Sequence, residues 1–277
     1  MTEKKKNVCL PKRLIASRKL IGNLAKNDFK KKFAGSYFGV IWAFIQPVIT
    51  VLLYWFVFEK GLNSKATDLR TGIEIPFVLW LTAGLVPWFY FQEALNGGTG
   101  VLVEYSYLVK KVVFQIDMLP VVKMISALFT HLFFVAFTMV LFICMGYMPD
   151  WYALQVIYYS FCMILFATGL VYATSAVTVF FRDMKEVVGI LLQIGMWVTP
   201  IMWNFETMVQ IPGWAITVLK LNPMYYIVSG YRNALINHIG FWEDMGLTVY
   251  FWVVTAVILF LGTTVFKRLR PHFADVL

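Results

Sequence analysis

Residues 35–61 read "GSYFGVIWAFIQPVITVLLYWFVFEKG", a run long and apolar enough to cross a bilayer as a helix. It is one of several such runs, and they dictate the fold class. At about 1.5 Å per residue, some 20 apolar residues cover a hydrocarbon core of about 30 Å. We read six spans, at residues 37–58, 75–95, 121–145, 153–180, 187–203 and 247–266. Of the 277 residues, 60% are hydrophobic and 14% charged, a balance that excludes a soluble domain. The expectation is one all-α polytopic membrane domain, with a cytoplasmic interfacial segment at residues 1–34, a six-span core at 35–266 and a cytoplasmic tail at 267–277.

Charge sets the orientation. Nineteen Lys and Arg fall on the side of the termini and five on the other, so both termini are expected in the cytoplasm. The net charge of +9 sits mostly beside the spans, which points to anionic lipid headgroups rather than nucleic acid. The basic N-terminus has no apolar core of its own and does not read as a cleavable signal peptide. In residues 12–33, Leu14, Ile21, Ala25, Phe29 and Phe33 approximate one stripe among Lys and Arg. An amphipathic helix on the inner leaflet fits this pattern; a solvated basic tail is the alternative. The loop at 204–246 holds "LNPMYYIVSGYRNAL", too short to span twice, and is expected to form outer re-entrant or interfacial helices.

The sequence carries no phosphate-binding loop of the G-x-x-x-x-G-K-[ST] type, no H-E-x-x-H or Cys/His cluster, and no plausible Ser/His/Asp set. Cys9, Cys144 and Cys162 are expected to be free thiols. The one deep ionisable residue is His131, read as a neutral His bonded to a neighbouring helix, with a proton relay as the alternative. If the chain transports anything, the energy is expected to come from elsewhere, most simply from a partner protein.

Four polar or aromatic features stand out. Gln46-Pro47 frees a backbone carbonyl that lipid cannot satisfy, so it is expected to kink the first span and face protein or a cavity. Thr199-Pro200 is expected to end or kink the fifth. Arg182-Asp183 lies in an inner turn, either solvated or paired with other inner segments. The inner loop opens with Gly97, Gly98, Thr99 and Gly100, read as flexible, and continues into a short amphipathic piece fit either to dock on a cytoplasmic partner or to lie on lipid. Eight of the 22 residues at 37–58 are aromatic. An interfacial belt accounts for those at the two ends, but less easily for Trp42 and Phe44. Rings also suit weak stacking on sugars.

In order along the chain, "DFKKKFAGSYFGVIWAFIQP", the Gly-rich inner loop, "VFFRDMKEV", "TPIMW", "LNPMYYIVSGYR" and "FKRLRPHFADVL" resemble the membrane subunit of type-2 ABC exporters, in the branch for polysaccharide, O-antigen and teichoic acid export. The match runs from about residue 26 to the end; Gln46 stands where Asn is common. The resemblance implies a homodimer with two cytoplasmic ABC ATPase subunits, which hold the ATP and Mg, while this chain binds no cofactor and is no enzyme. It implies a lipid-linked glycan on undecaprenyl diphosphate as cargo and the bacterial cytoplasmic membrane as location. By position it assigns an aromatic substrate path to Tyr37, Phe38, Trp42, Phe44, Trp55, Trp197, Tyr225 and Tyr226. It assigns ATPase coupling to Gly98, Glu104, Tyr105, Tyr107, Leu108, Lys110 and Lys111, and an inner-turn role to Arg182 and Asp183. Lys30, Lys31 and Lys32 are expected to recruit the lipid diphosphate. An exporter of a small drug or lipid is the alternative within the family.

Overall fold

The computed structural model describes residues 14–110, 115–203 and 212–277. Lys111 and the start of the long outer loop lie outside these, as does Cys9. Helix α1 (Arg18–Lys32) is followed by α2 (Trp42–Trp55), entered through a 3-10 turn at Gly39–Ile41 and left through a π turn at Phe56–Gly61. A two-stranded hairpin, β1 (Ala66–Thr67) and β2 (Glu74–Ile75), pairs antiparallel; no strand was expected. Then come α3 (Phe77–Thr99), two four-residue helices, α4 (Val101–Glu104) and α5 (Ser106–Val109), and α6 (Met118–Cys144). Helices α7 (Gln155–Phe180), α8 (Met184–Val198), α9 (Gly213–Lys220), α10 (Pro223–Arg232), α11 (Met245–Leu269) and α12 (Phe273–Val276) complete the order.

Four helical stretches are long and apolar enough to cross a membrane: Gly39–Gly61, Met118–Cys144, Trp151–Phe180 and Met245–Val276. Helices α3 and α8 stand at the second and fifth expected spans. Helix α3 has 23 residues, is buried along most of its length and carries Gln92, Glu93 and Asn96 in its last turns. Helix α8 has only 15. It ends at Val198: Thr199, which precedes Pro200, is extended at φ −76 and ψ 126, because the ring after it disfavours the helical region.

Pro47 is carried inside α2 without ending it, and the Thr50 hydroxyl donates to the Gln46 carbonyl at 3.0 Å. The expected flexible opening of the inner loop is corrected. Gly97, Gly98 and Thr99 belong to α3, and Gly98 and Thr99 are buried. A Cβ on Gly98 would overlap the Val171 side chain of α7. Glycine marks close helix packing here, as it does where lipid replaces water. The same device joins α7 to α11, where a Cβ on Gly169 would come 2.8 Å from the Ile258 backbone and one on Gly262 would overlap the Gly169 carbonyl.

The predicted stripe of the N-terminal helix forms. Ile21 and Ala25 pack on Met118 and Val122 of α6, and Phe29 is buried as well. A second apolar cluster closes the end of the bundle that carries the excess of Lys and Arg. There Val101 and Leu102 of α4 meet Tyr172, Phe266 and Phe273. The chain end is therefore docked, with Arg270 Nη1 2.9 Å from Asp117 Oδ2. At the far end α10 is packed among α3, α7 and α11, whereas α9 buries none of its residues.

Candidate functional site

At the basic end, α1, α2, α3 and α6 enclose two neighbouring polar cavities. The larger, about 460 Å³, is lined by Lys32, Trp42, Gln46, Pro47, Gln92, Glu93, Asn96 and Lys185, among others. Gln46 and Pro47 thus border a cavity rather than lipid alone. The smaller, about 300 Å³, shares Lys32, Glu93 and Gly97 with it and adds Asp28, Lys31, Glu104 and Lys123.

An ionic junction forms the wall between the cavities and the short helices. Lys123 Nζ lies 2.7 Å from Asp28 Oδ1 and 2.8 Å from Glu104 Oε2. The Tyr105 hydroxyl donates to Asp28 Oδ1 at 2.6 Å, and Lys32 pairs with Glu93 at 2.7 Å. Burial alone would raise the Asp28 carboxyl, but the hydrogen bonds from Lys123 and Tyr105 outweigh it and hold the group below its ordinary value of 3.8. Burial, then the bond to Asp28, pushes the Tyr105 hydroxyl up. A carboxylate with a depressed value adds stability that is full above the ordinary value and is lost as pH falls through the lower, folded one. The α1 junction is therefore expected to hold unchanged from pH 7 to 5 and to loosen below about pH 4. Asp28→Asn at pH 7 should speed hydrogen exchange across residues 18–32 and 101–109 by roughly ten-fold. Unaltered exchange would show that the junction does not hold these segments.

The coupling residues divide between two faces. Gly98 is buried against α7, and Tyr105 is turned inward; Glu104, Tyr107 and Lys110 are exposed, and Leu108 is half-buried. Lys30 is exposed, Lys31 lies 5.6 Å over the Tyr105 ring, and Lys32 is committed to Glu93. Arg182 and Asp183 are both exposed, and neither has an ion pair among the described residues.

The aromatic residues scatter likewise. Tyr37 is 97% exposed and Trp197 58%. Phe38 and Trp42, also exposed, meet edge-on at 5.7 Å. Phe44 is wedged against Phe133 at 4.2 Å, and Trp55 lies under Lys60. Tyr225 lines a cavity at the end away from the basic one. Tyr226 is 4% exposed, stacked on Phe251 at 4.7 Å, with its hydroxyl bonded to Tyr158 and Thr248. Its side chain is part of the core.

His131 is buried and bonds two neighbouring helices: Nε2 lies 3.2 Å from the Ser160 hydroxyl of α7 and 3.2 Å from the Tyr231 hydroxyl of α10. Two key residues escaped sequence reasoning. Asp28 shares a helical face with Ile21 and Ala25, and an acid in an apolar stripe was the signal. Arg232, counted only as an outer charge, is 6% exposed. Its guanidinium lies 3.3 Å from the centre of the Trp80 ring. It donates to the carbonyls of Trp80, Pro200 and Ile201 at 3.3, 2.6 and 2.7 Å, stapling α10 to α3 and to the chain beyond α8.

Comparison with known proteins agrees with this architecture. The chain is 25% identical over 266 residues to the O-antigen export system permease protein RfbA of Myxococcus xanthus, covering 96% of this chain and 98% of that one. It is 21% identical to an RfbA of Klebsiella pneumoniae, over 92% and 93% of the two chains. It is 22% identical to the polysialic acid transport protein KpsM of Escherichia coli, over 87% and 89%. Residues 19–236 match the model of the ABC-2 type transporters, a stretch that runs from α1 through the staple at Arg232, and the chain belongs to that family.

Proposed function

We propose that this chain is the membrane-spanning permease subunit of an ATP-driven exporter that moves a lipid-linked polysaccharide, such as an O-antigen or teichoic acid, across the bacterial cytoplasmic membrane. The observation that carries the reading is the near end-to-end likeness to permeases named for O-antigen export, on a chain without a phosphate-binding loop of its own. Six spans, with α3 and α8 as the second and fifth, put both termini in the cytoplasm. Two copies of the chain form the path, and two ABC ATPase subunits bind and hydrolyse ATP with Mg. The chain itself makes or breaks no bond in the cargo.

The undecaprenyl diphosphate end meets the cavities at the basic end, where Lys31 and Lys32 line the wall and the exposed Lys30 follows on the same helix, offering charge-assisted hydrogen bonds. Closure of the ATPases presses on the exposed part of the inner segment, at Glu104, Tyr107 and Lys110. The path then opens along α2 and α8, and rings such as Trp42 and Trp197 give the glycan weak, repeated contacts.

The primary test is a gentle-detergent pull-down of the tagged chain from native membranes, with an ATPase assay. Recovery of a soluble ATPase bearing a phosphate-binding loop, with activity dependent on this chain, is the expected result; its absence would overturn the energy source. Trp42→Ala is expected to slow glycan export several-fold while leaving the amount of folded protein unchanged, since the ring is exposed and its one ring contact among the described residues is edge-on with Phe38. Export at the normal rate would count against a ring-lined path. Phe44→Ala is the less clean variant, because that ring packs against α6.

A further inference from the structure

A cavity of about 300 Å³ opens at the far end, between the hairpin, α3, α10 and the start of α11. Its size is at the lower end of small-molecule sites, which run about 300–1,000 Å³. The Trp203 and Tyr225 rings line it, together with Ser229, Asn233, Glu243 and Asp244. The polar groups are held in place but not used up. Asn233 Oδ1 accepts from Asn237 Nδ2 at 2.8 Å, which leaves its own amide N–H groups without a partner among the described residues. Glu243 Oε1 accepts from the Gly240 N–H at 2.8 Å and Asp244 Oδ1 from the Leu247 N–H at 3.0 Å, so each carboxylate keeps an oxygen in reserve. The Ser229 hydroxyl, half-buried, has no partner among the described residues. Arg232 forms the floor, with three of its five N–H groups on the carbonyls it staples.

Rings beside fixed amide, hydroxyl and carboxylate groups suit one ligand chemistry. A sugar ring has an apolar C–H face for an aromatic side chain and hydroxyls that both donate and accept. We propose that this cavity is a sugar-binding subsite at the exit side, built for neutral or amino sugars and selecting against anionic ones. The second half follows from the charges: the exposed Glu243 and Asp244 at the mouth outnumber the one buried guanidinium of Arg232, which lies on Trp80, so the rim attracts hydroxyl and ammonium donors and repels sugar carboxylates. The inference rests on the export reading above, which places this end of the bundle outside the cytoplasm, and it divides the possible cargoes by charge.

The test uses the full chain in lipid nanodiscs with two probes, the neutral disaccharide N,N′-diacetylchitobiose and the anionic digalacturonate, followed by saturation-transfer NMR and titration. Chitobiose should bind with an affinity on the order of millimolar, and digalacturonate at least about ten-fold more weakly. Ser229→Ala should weaken chitobiose about five-fold. The double variant Glu243→Gln, Asp244→Asn preserves the backbone bonds and should close the gap between the probes. Binding of neither probe, equal binding of both by the unaltered chain, or indifference to both variants would overturn the subsite. Surface glycan in a strain lacking this chain reports on the export reading separately. Glycan loss without disaccharide binding sinks the subsite and keeps the exporter; binding with normal glycan does the reverse.

Discussion

Arg232→Ala is expected to lower the midpoint of thermal unfolding by on the order of 10 °C and to reduce the folded yield severely. Three buried carbonyls, of Trp80, Pro200 and Ile201, would lose a charged donor at once. Hydrogen bonds to charged groups contribute about 1.5–3 kcal/mol each, and a stranded buried acceptor adds its own desolvation cost. Even with partial relaxation, the sum is about 3–5 kcal/mol. Arg232→Lys separates fork from charge. An ammonium can satisfy some of these carbonyls but cannot stack flat on Trp80 while reaching two successive residues. It should fall between the alanine variant and the unaltered chain. A melting point within a degree or two of normal for the alanine variant would mean that the staple is dispensable.

Gly262→Leu should be nearly as damaging, for a steric reason. Helices α7 and α11 approach with backbone against backbone at Gly169 and Gly262, and a side chain at either position forces them apart. Overpacking a core costs typically about 1–3 kcal/mol, and here the obstacle is a carbonyl that has no rotamer to turn aside. We expect loss of monodisperse protein on gel filtration and, for Gly262→Ala, a milder fall. Gly189→Leu in α8 is the matched control, because nothing lies within 4 Å of a Cβ there. Equal behaviour of Gly262→Leu and Gly189→Leu would refute the close packing.

What could be read from the sequence was what depends on hydropathy and local backbone rules. Four of the expected spans, the end of α8 before Pro200 and the apolar stripe of α1 follow from these alone. Gly97-Gly98 misled because glycine is a helix breaker in water, whereas between membrane helices it is what lets them touch. Arg232 misled for a related reason: a count of loop charges assumes that charges are solvated, and this one is enclosed. The junction of Asp28, Lys123, Glu104 and Tyr105 joins residues up to 95 positions apart, and periodicity along one helix cannot show which distant helix answers its polar group. Of the aromatic residues, the resemblance set Tyr225 and Tyr226 on one path without revealing that one ring enters the core while the other lines a cavity.

The unequal packing of the helices has a mechanical meaning. The short helices α4 and α5 sink Val101, Leu102 and Val109 into the ends of α7 and α11, and those two are locked together at Gly169 and Gly262. Close-packed interiors are stiff and pass strain onward. A load applied at Tyr107 or Lys110 would meet this rigid pair rather than a loop that gives way where it lands. Helices α2 and α8, by contrast, bury only Ala43 and Val51, and Val188 and Leu192. Most of their side chains therefore turn outward, toward lipid or a second copy of the chain.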